Sequence, residues 1–240
     1  MTDTRPEPMP EDWNRALAVV AHPDDLEYGA AGAIARWTRQ GKSVVYVLAS
    51  RGEAGIDSMP PEEAGPLRTQ EQLASARVVG VEQVEFLDHP DGLIENGVPL
   101  RRDIAAAIRR HRPELVVTLN HRESFPGGGF NMADHRHVGA AVLDAVRDAA
   151  NRWLFPDLGL EPWSGVRWVA VSGSPRPTHG VDITDTFDAA VASLSEHKAY
   201  LAALDGDMAE PEPFLRQFAS TAGELFGVPL ACTFELFPQR

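Results

Sequence analysis

Leu17-Ala18-Val19-Val20-Ala21-His22-Pro23-Asp24-Asp25-Leu26-Glu27-Tyr28-Gly29 runs from an unbroken apolar stretch straight into a histidine and two adjacent carboxylates. Leu17 to Ala21 is short, β-branched in the middle and apolar on both faces, the pattern of a central parallel strand covered by helices on either side. Open α/β sheets place their chemistry at the C-terminal ends of such strands. Pro23 biases His22 away from helical backbone, so the strand ends in an extended turn that aims side chains out from the sheet edge. His22 and Asp25 can give a nitrogen and an oxygen to a divalent ion, which leaves Asp24 free to act as a base on a nearby water. Alone, the Asp-Asp pair has a plainer reading as a helix N-cap beside a solvated acid, and an isolated histidine is more often structural than a ligand.

Outward from that stretch, strand and helix patterns alternate. Residues 1–15 read as a flexible arm whose end Trp13 pins to the body, and residues 16–240 as one domain. Glu27 to Gln40 reads as a helix closed by Gly41, Ser43 to Ala49 as a second buried strand, and Arg51 to Ala64 as an acidic loop. Leu67 to Val79 is an amphipathic helix, Val84 to Leu87 a third strand, Pro99 to His111 a helix and Leu115 to Leu119 a fourth strand. Asn120 to Asp134 is a long loop holding Gly127, Gly128 and Gly129, enough to wall a pocket, and a helix follows from His135 to Asn151. Val166 to Ser172 is a fifth strand, a helix runs from Thr184 or Asp185 to Leu204, another follows Pro213, and Val228 to Phe237 closes the pattern as a strand. Helices joining strands through short connections imply right-handed βαβ units, so the fold class is α/β, a three-layer Rossmann-like fold with a mainly parallel sheet.

The 240 residues suffice to bury a full core, and 43% hydrophobic with 24% charged residues is ordinary for a globular protein. A net charge of -13 without a Lys/Arg cluster argues against nucleic-acid binding. Cys232, the single cysteine, has no intrachain partner and suits a reducing cytoplasm. No signal peptide and no run of membrane-span length stand out, so a cytoplasmic chain without stable membrane insertion is expected; a homo-oligomer is compatible with this composition.

A catalytic zinc site commonly takes three protein ligands. His135 is the strongest third candidate, because the fourth strand should lie beside the first and the helix opening at His135 begins just past that strand's loop. His137, two residues on, faces elsewhere.

The string Ala-His-Pro-Asp-Asp-Leu-Glu before a Gly- and Ala-rich helix resembles the signature of the LmbE-like family, which includes phosphatidylinositol-glycan N-acetylglucosamine deacetylases and thiol-glycoside deacetylases. The resemblance extends to about Leu204. It places the third metal ligand at His135, in Asn131-Met-Ala-Asp-His-Arg-His-Val-Gly139, which matches the family pattern at Asp134, His135, Arg136, Val138 and Gly139 and departs from it at Met132 and Ala133. It implies sugar-contacting roles for Arg68 and Asp91, whose plainer readings are a surface Arg68–Glu71 pair and an Asp-Gly turn. Glu27 reads as structural, holding the loop or a ligand's free ring nitrogen. His197 matches a late family histidine. Because Met132 stands where many members carry a hydrogen-bond-donating histidine, a replacement oxyanion donor is expected, His197 first and His121 next, then Arg122 or Asn131.

The resemblance implies a zinc-dependent hydrolase that removes an acetyl or other acyl group from the amine of an N-acylated amino-sugar conjugate, with Asp24 as base. Iron(II), cobalt or manganese would fit the same ligands. Tyr28, where thiol-glycoside enzymes usually have a small residue, counts against a mycothiol-type substrate. The competing reading is a non-catalytic sugar-binding or receiver-like α/β domain, since paired acids near a first strand also occur in phosphoacceptor domains of about half this length.

Overall fold

A computed structural model describes residues 5–239. One eight-stranded sheet takes in every strand. In chain order the elements are β1 (Glu7–Pro8), β2 (Arg15–Val20), α1 (Asp25–Gly29), α2 (Ala31–Arg39), β3 (Ser43–Leu48), α3 (Pro61–Val78), β4 (Gln83–Phe86), α4 (Val98–His111), β5 (Leu115–Leu119), α5 (Ala133–Ala150), β6 (Trp168–Ser172), β7 (His179–Asp182), α6 (Phe187–Leu194), α7 (Lys198–Ala202), α8 (Pro211–Phe226) and β8 (Ala231–Pro238). Their order across the sheet is β1-β7-β8-β6-β5-β2-β3-β4. All pairs are parallel except those of β8 with β6 and with β7. Leu17 to Ala21 and all of β5 are buried, as expected of strands with helices over both faces. From β2 the chain winds through β3 to the β4 edge and then returns to place β5 on the other side of β2. Open α/β sheets place their binding crevice at such a reversal, and His22 lies just past the C-terminal end of β2 there.

The α/β, mainly parallel architecture agrees with the sequence reading, and the local differences have physical reasons. The helix expected over 27–40 is two helices, broken at Ala30 with φ -138°. Gly29 lies so close to β6 that a Cβ there would meet Ser172 Oγ at 2.4 Å. The helix expected from Leu67 begins at Pro61, which opens it, and Pro66 lies inside it at the cost of the one bond that its missing N–H would make. The helix expected through Leu204 breaks at residues 195–197. β7 was hidden by its four short residues, His-Gly-Val-Asp, among prolines and glycines.

The arm expected over 1–15 lies partly outside the described residues. From Arg5 on it packs on the body: Glu7–Pro8 pairs with His179–Gly180, Met9 is buried, and Trp13 meets Trp37 edge-on with centroids 5.2 Å apart.

Gly139 sets α5 against the end of β5. A Cβ there would lie 2.6 Å from the Leu119 carbonyl and 2.9 Å from His121 Cβ. Alanine would gain about 1 kcal/mol of helix propensity, but the neighbour is backbone that cannot rotate away, and overpacking costs about 1–3 kcal/mol. Gly139→Ala is therefore expected to lower the melting temperature. Because His135 lies one turn earlier on the same face, metal affinity should fall as well, and calorimetry with a metal titration reads both.

Candidate metal centre and active site

Three elements converge on the end of β2. Asp25, in the first turn of α1, folds back on the strand it follows: its Oδ2 accepts the amides of Ala21 at 3.0 Å and His22 at 2.7 Å. Its other oxygen faces His135, with Nε2 to Oδ1 at 2.9 Å. His22 Nδ1 lies 3.7 Å from Asp25 Oδ2, and the His22 and His135 rings are 5.3 Å apart. One ligand atom from each of His22, Asp25 and His135 thus lies within 4.8 Å of the others.

A second grouping, His22 with Asp91 and Asp134, shares the same histidine. Here Nε2 donates to Asp134 Oδ2 at 3.1 Å and meets Asp91 Oδ1 at 3.0 Å. Both carboxylates are already held by backbone: Asp134 accepts the amides of Gly92 and Ile94, and Asp91 that of Ala54. This second set is a hydrogen-bonded clamp on Nε2 that leaves Nδ1 on the side of Asp25. The first set offers two nitrogens and an oxygen, the donor chemistry of a catalytic zinc site. Three carboxylates around one buried imidazole also leave an excess of negative charge that a cation would balance. Burial opposes a charged His22, yet the Asp134, Asp25 and Asp91 carboxylates outweigh it and hold its pKa well above the usual histidine range. Burial likewise opposes a charged Asp25, but His135 and His22 hold it far below the ordinary carboxylate range.

Asp24 turns away from that set. Its backbone is left-handed, with φ 91°, and its amide donates to Gln72 Oε1. Aspartate tolerates this conformation better than most residues, and such strain concentrates at functional sites. Arg68, only 3% exposed, donates to Asp24 Oδ2 at 2.6 Å and to the Pro23 and Gly52 carbonyls. Tyr200 covers the guanidinium, 4.2 Å from ring centroid to Cζ. Burial raises the Asp24 pKa to about 6 against the pull of Arg68.

Four expected residues therefore meet at one crevice: His22, Asp24, Asp25 and His135. Arg68 and Asp91, expected to face a sugar, are turned inward on Asp24 and His22. Glu71 accepts the Ala199 amide instead of pairing with Arg68. Glu27 serves neither loop nor ligand ring; it accepts from Gln72 and Ser75, and Ser75 meets Ser193. His197 is fully buried behind Glu27, Nε2 to Oε2 3.8 Å, away from the open side of the crevice. Of the other expected oxyanion donors, Arg122 is engaged with Glu235 and Asn131 with the Asn120 and Arg122 carbonyls, while the His121 ring stands edge-on to Phe237 with Nδ1 buried and without a hydrogen-bond partner. Sequence reasoning missed Gln72 and Ser75. Their signal was a polar stripe of helical spacing, Arg68, Glu71, Gln72 and Ser75, all buried on α3.

Burial disfavours a charged His197, but Glu27 outweighs it and the His197 pKa lies above 6.5. A raised histidine pKa adds stability that is complete below 6.5 and lost as pH rises through the folded-state value. The melting-temperature gap between wild type and His197→Gln should thus be widest on the acid side of that value and narrow above it. A gap that is flat with pH would rule out the ion pair.

Residues 17–146 match the family model described as GlcNAc-PI de-N-acetylase. The chain is similar to the diacetylchitobiose deacetylase of Thermococcus kodakarensis, 30% identical over 90% of this chain and 80% of that one. It is also similar to the 1D-myo-inositol 2-acetamido-2-deoxy-alpha-D-glucopyranoside deacetylase of Kineococcus radiotolerans, 30% identical over 68% of this chain and 53% of the relative. Among solved structures, an inhibitor complex of N,N'-diacetylchitobiose deacetylase from Pyrococcus horikoshii superposes with a TM-score of 0.86 at 26% identity, over 95% of this chain and 85% of that one. With its matched segment spanning more than half of the sequence and both halves of the crevice, this chain belongs to the PIG-L, or GlcNAc-PI de-N-acetylase, family.

Proposed function

We propose that this protein is a metal-dependent N-deacetylase that hydrolyses the acyl-amide of an N-acylated amino-sugar conjugate, most simply an N-acetylglucosamine derivative. The observation that carries the reading is the division of labour between adjacent carboxylates: Asp25 faces two histidines, while Asp24 is held apart by Arg68. His22, Asp25 and His135 would hold zinc, with iron(II), cobalt or manganese as substitutes suited to the same donors. Such an ion supplies a Lewis acid for the acyl carbonyl and lowers the pKa of water in the site.

The chain's own groups do the rest. Asp24, with its pKa near 6, accepts a proton from water as the water oxygen adds to the acyl carbon. The same carboxyl returns that proton to the sugar nitrogen as the C–N bond breaks, giving free amine and carboxylate. Arg68 fixes the Asp24 carboxylate, and Asp91 joins Asp134 in fixing His22. His197 acts from behind Glu27, through charge, on the Asp24 side of the crevice. Among the described residues no helix is long and apolar enough to cross a membrane, and a small-molecule sugar conjugate met in the cytoplasm is part of the same reading.

The test is a panel of N-acetylated sugar conjugates assayed for free amine, with metal content measured in parallel. Amine release that is lost on chelation and restored by zinc is expected. No release from any conjugate by metal-loaded protein would sink the proposal.

A further inference from the structure

Asp24 begins α1 with the residues of a capping box and does not form one. It is the N-cap of that helix, and Glu27 stands three residues on. A start of the type Asp-x-x-Glu ordinarily closes on itself: the aspartate side chain takes an amide two or three residues later, and the glutamate reaches back to the N-cap amide. Here the Asp24 side chain makes no cap hydrogen bond, and its φ of 91° is far from the extended backbone that a capping residue uses.

Gln72 of α3 stands between the two groups that would close the box. Its Oε1 accepts the Asp24 amide at 3.0 Å, and its Nε2 donates to Glu27 Oε1, also at 3.0 Å. Ser75, three residues along α3, donates to the same Glu27 oxygen at 2.6 Å. An amide donor on one side and a carboxylate on the other leave the Gln72 side chain one orientation, with its carbonyl toward Asp24. Gln72 is 1% exposed, so solvent does not compete for either contact. Glu27 is thereby held off the N-cap amide, and the Asp24 carboxylate is left to Arg68, 2.6 Å away. Arg68 and Gln72 are four apart on α3, so one helix face sets both the side chain and the backbone of Asp24. The arrangement matters for chemistry because a carboxylate spent on a helix amide has its charged form stabilised and its lone pairs occupied, which makes it a poor base.

We propose that Gln72 is a positioning residue for the base: it wedges the Asp24–Glu27 cap open and so keeps the Asp24 carboxylate out of the helix it begins. The inference rests on the deacetylase reading with Asp24 as base, and adds to it a residue that acts through the Asp24 backbone alone.

Gln72→Met keeps the length of the side chain and removes both hydrogen bonds. In metal-loaded protein, kcat on an N-acetylated conjugate that the wild type hydrolyses is expected to fall about tenfold or more, as displacement of a reacting group by about 1 Å can cause, with KM and metal content unchanged. Gln72→Asn, too short to meet Asp24 and Glu27 together, should show the same split. Ser193→Ala removes hydrogen bonds to Ser75 from the same buried group without touching Asp24; it should lower the melting temperature and leave kcat at the wild-type level. A crystal structure of Gln72→Met is expected to show Asp24 at negative φ with its carboxylate on the Leu26 or Glu27 amide. Four outcomes overturn the proposal: unchanged kcat in both Gln72 variants, metal content or KM changing in step with kcat, an equal loss of kcat in Ser193→Ala, or Asp24 still left-handed and on Arg68 in the variant crystal. The crystal also separates the two readings. Asp24 turned into the cap, beside wild-type protein that releases amine from no conjugate, would uphold the conformational role of Gln72 and refute the deacetylase.

Discussion

Asp24→Asn is expected to lower deacetylation by about two to four orders of magnitude, the usual worth of a positioned general base, while metal content stays at the wild-type level. Asparagine is nearly isosteric, tolerates left-handed backbone and keeps the amide that donates to Gln72. It cannot take up a proton, so the chemical step fails. Removing the carboxylate also leaves the buried Arg68 guanidinium facing a neutral partner. That costs about 1–3 kcal/mol, which a thermal melt would register as a separate loss. His22→Ala, Asp25→Ala and His135→Ala should behave oppositely, losing the ion first and activity with it. Elemental analysis beside the amine assay separates the two classes. Loss of metal from Asp24→Asn with retention in Asp25→Ala would exchange the two roles.

Asp134→Ala should have the second largest effect, although Asp134 is not among the three ligand candidates. Its carboxylate holds His22 Nε2 and grips the amides of Gly92 and Ile94, which anchors the loop after β4 to the start of α5. Without it, Asp91 is the one carboxylate left on His22 Nε2, and the buried Ile94 amide and the half-buried Gly92 amide lose their acceptor. Removing the partner of a ligand histidine typically lowers metal affinity about 10–100-fold, and unsatisfied amides cost about 1–3 kcal/mol each. Competition against a chelator measures the first and chemical denaturation the second. Asp134→Asn keeps two of the three hydrogen bonds only with its oxygen in the place of Oδ2, which accepts from His22 and Gly92 and turns the NH2 group on the Ile94 amide, so it should recover much of the affinity and less of the stability. Affinity unchanged in both variants would remove Asp134 from the centre.

The sequence made the parallel half of the sheet legible because β2, β3 and β5 are unbroken apolar runs between clear helix patterns. Their positions agree with the structure to within a residue or two. The antiparallel half was less legible. β7 has four residues, two of them polar, and β1 has two, one a proline, so neither produces a periodic signal. At the crevice, residue type and spacing led to His22, Asp24, Asp25 and His135. They could not tell which way Arg68 and Asp91 turn, since an arginine on a helix and an aspartate before a glycine have the same sequence signature facing in or out. Nor did spacing reveal that His197 lies beneath Glu27, because that depends on a helix break at residues 195–197 that the Leu-Ser-Glu-His pattern does not announce.

β8, the last strand in sequence, is an interior strand of the sheet, between β6 and β7. Among the described residues, β7 has no strand partners other than β8 and β1, and β1 pairs only with β7. During synthesis, Glu7–Pro8 therefore wait for His179–Gly180, and β7 in turn waits for β8, whereas β2 to β6 can pair as they emerge. Completion of the sheet runs backward through the sequence, from β8 to β7 to β1. In the interval the nascent protein carries an open edge on β6, the kind of unpaired strand on which partly made chains aggregate.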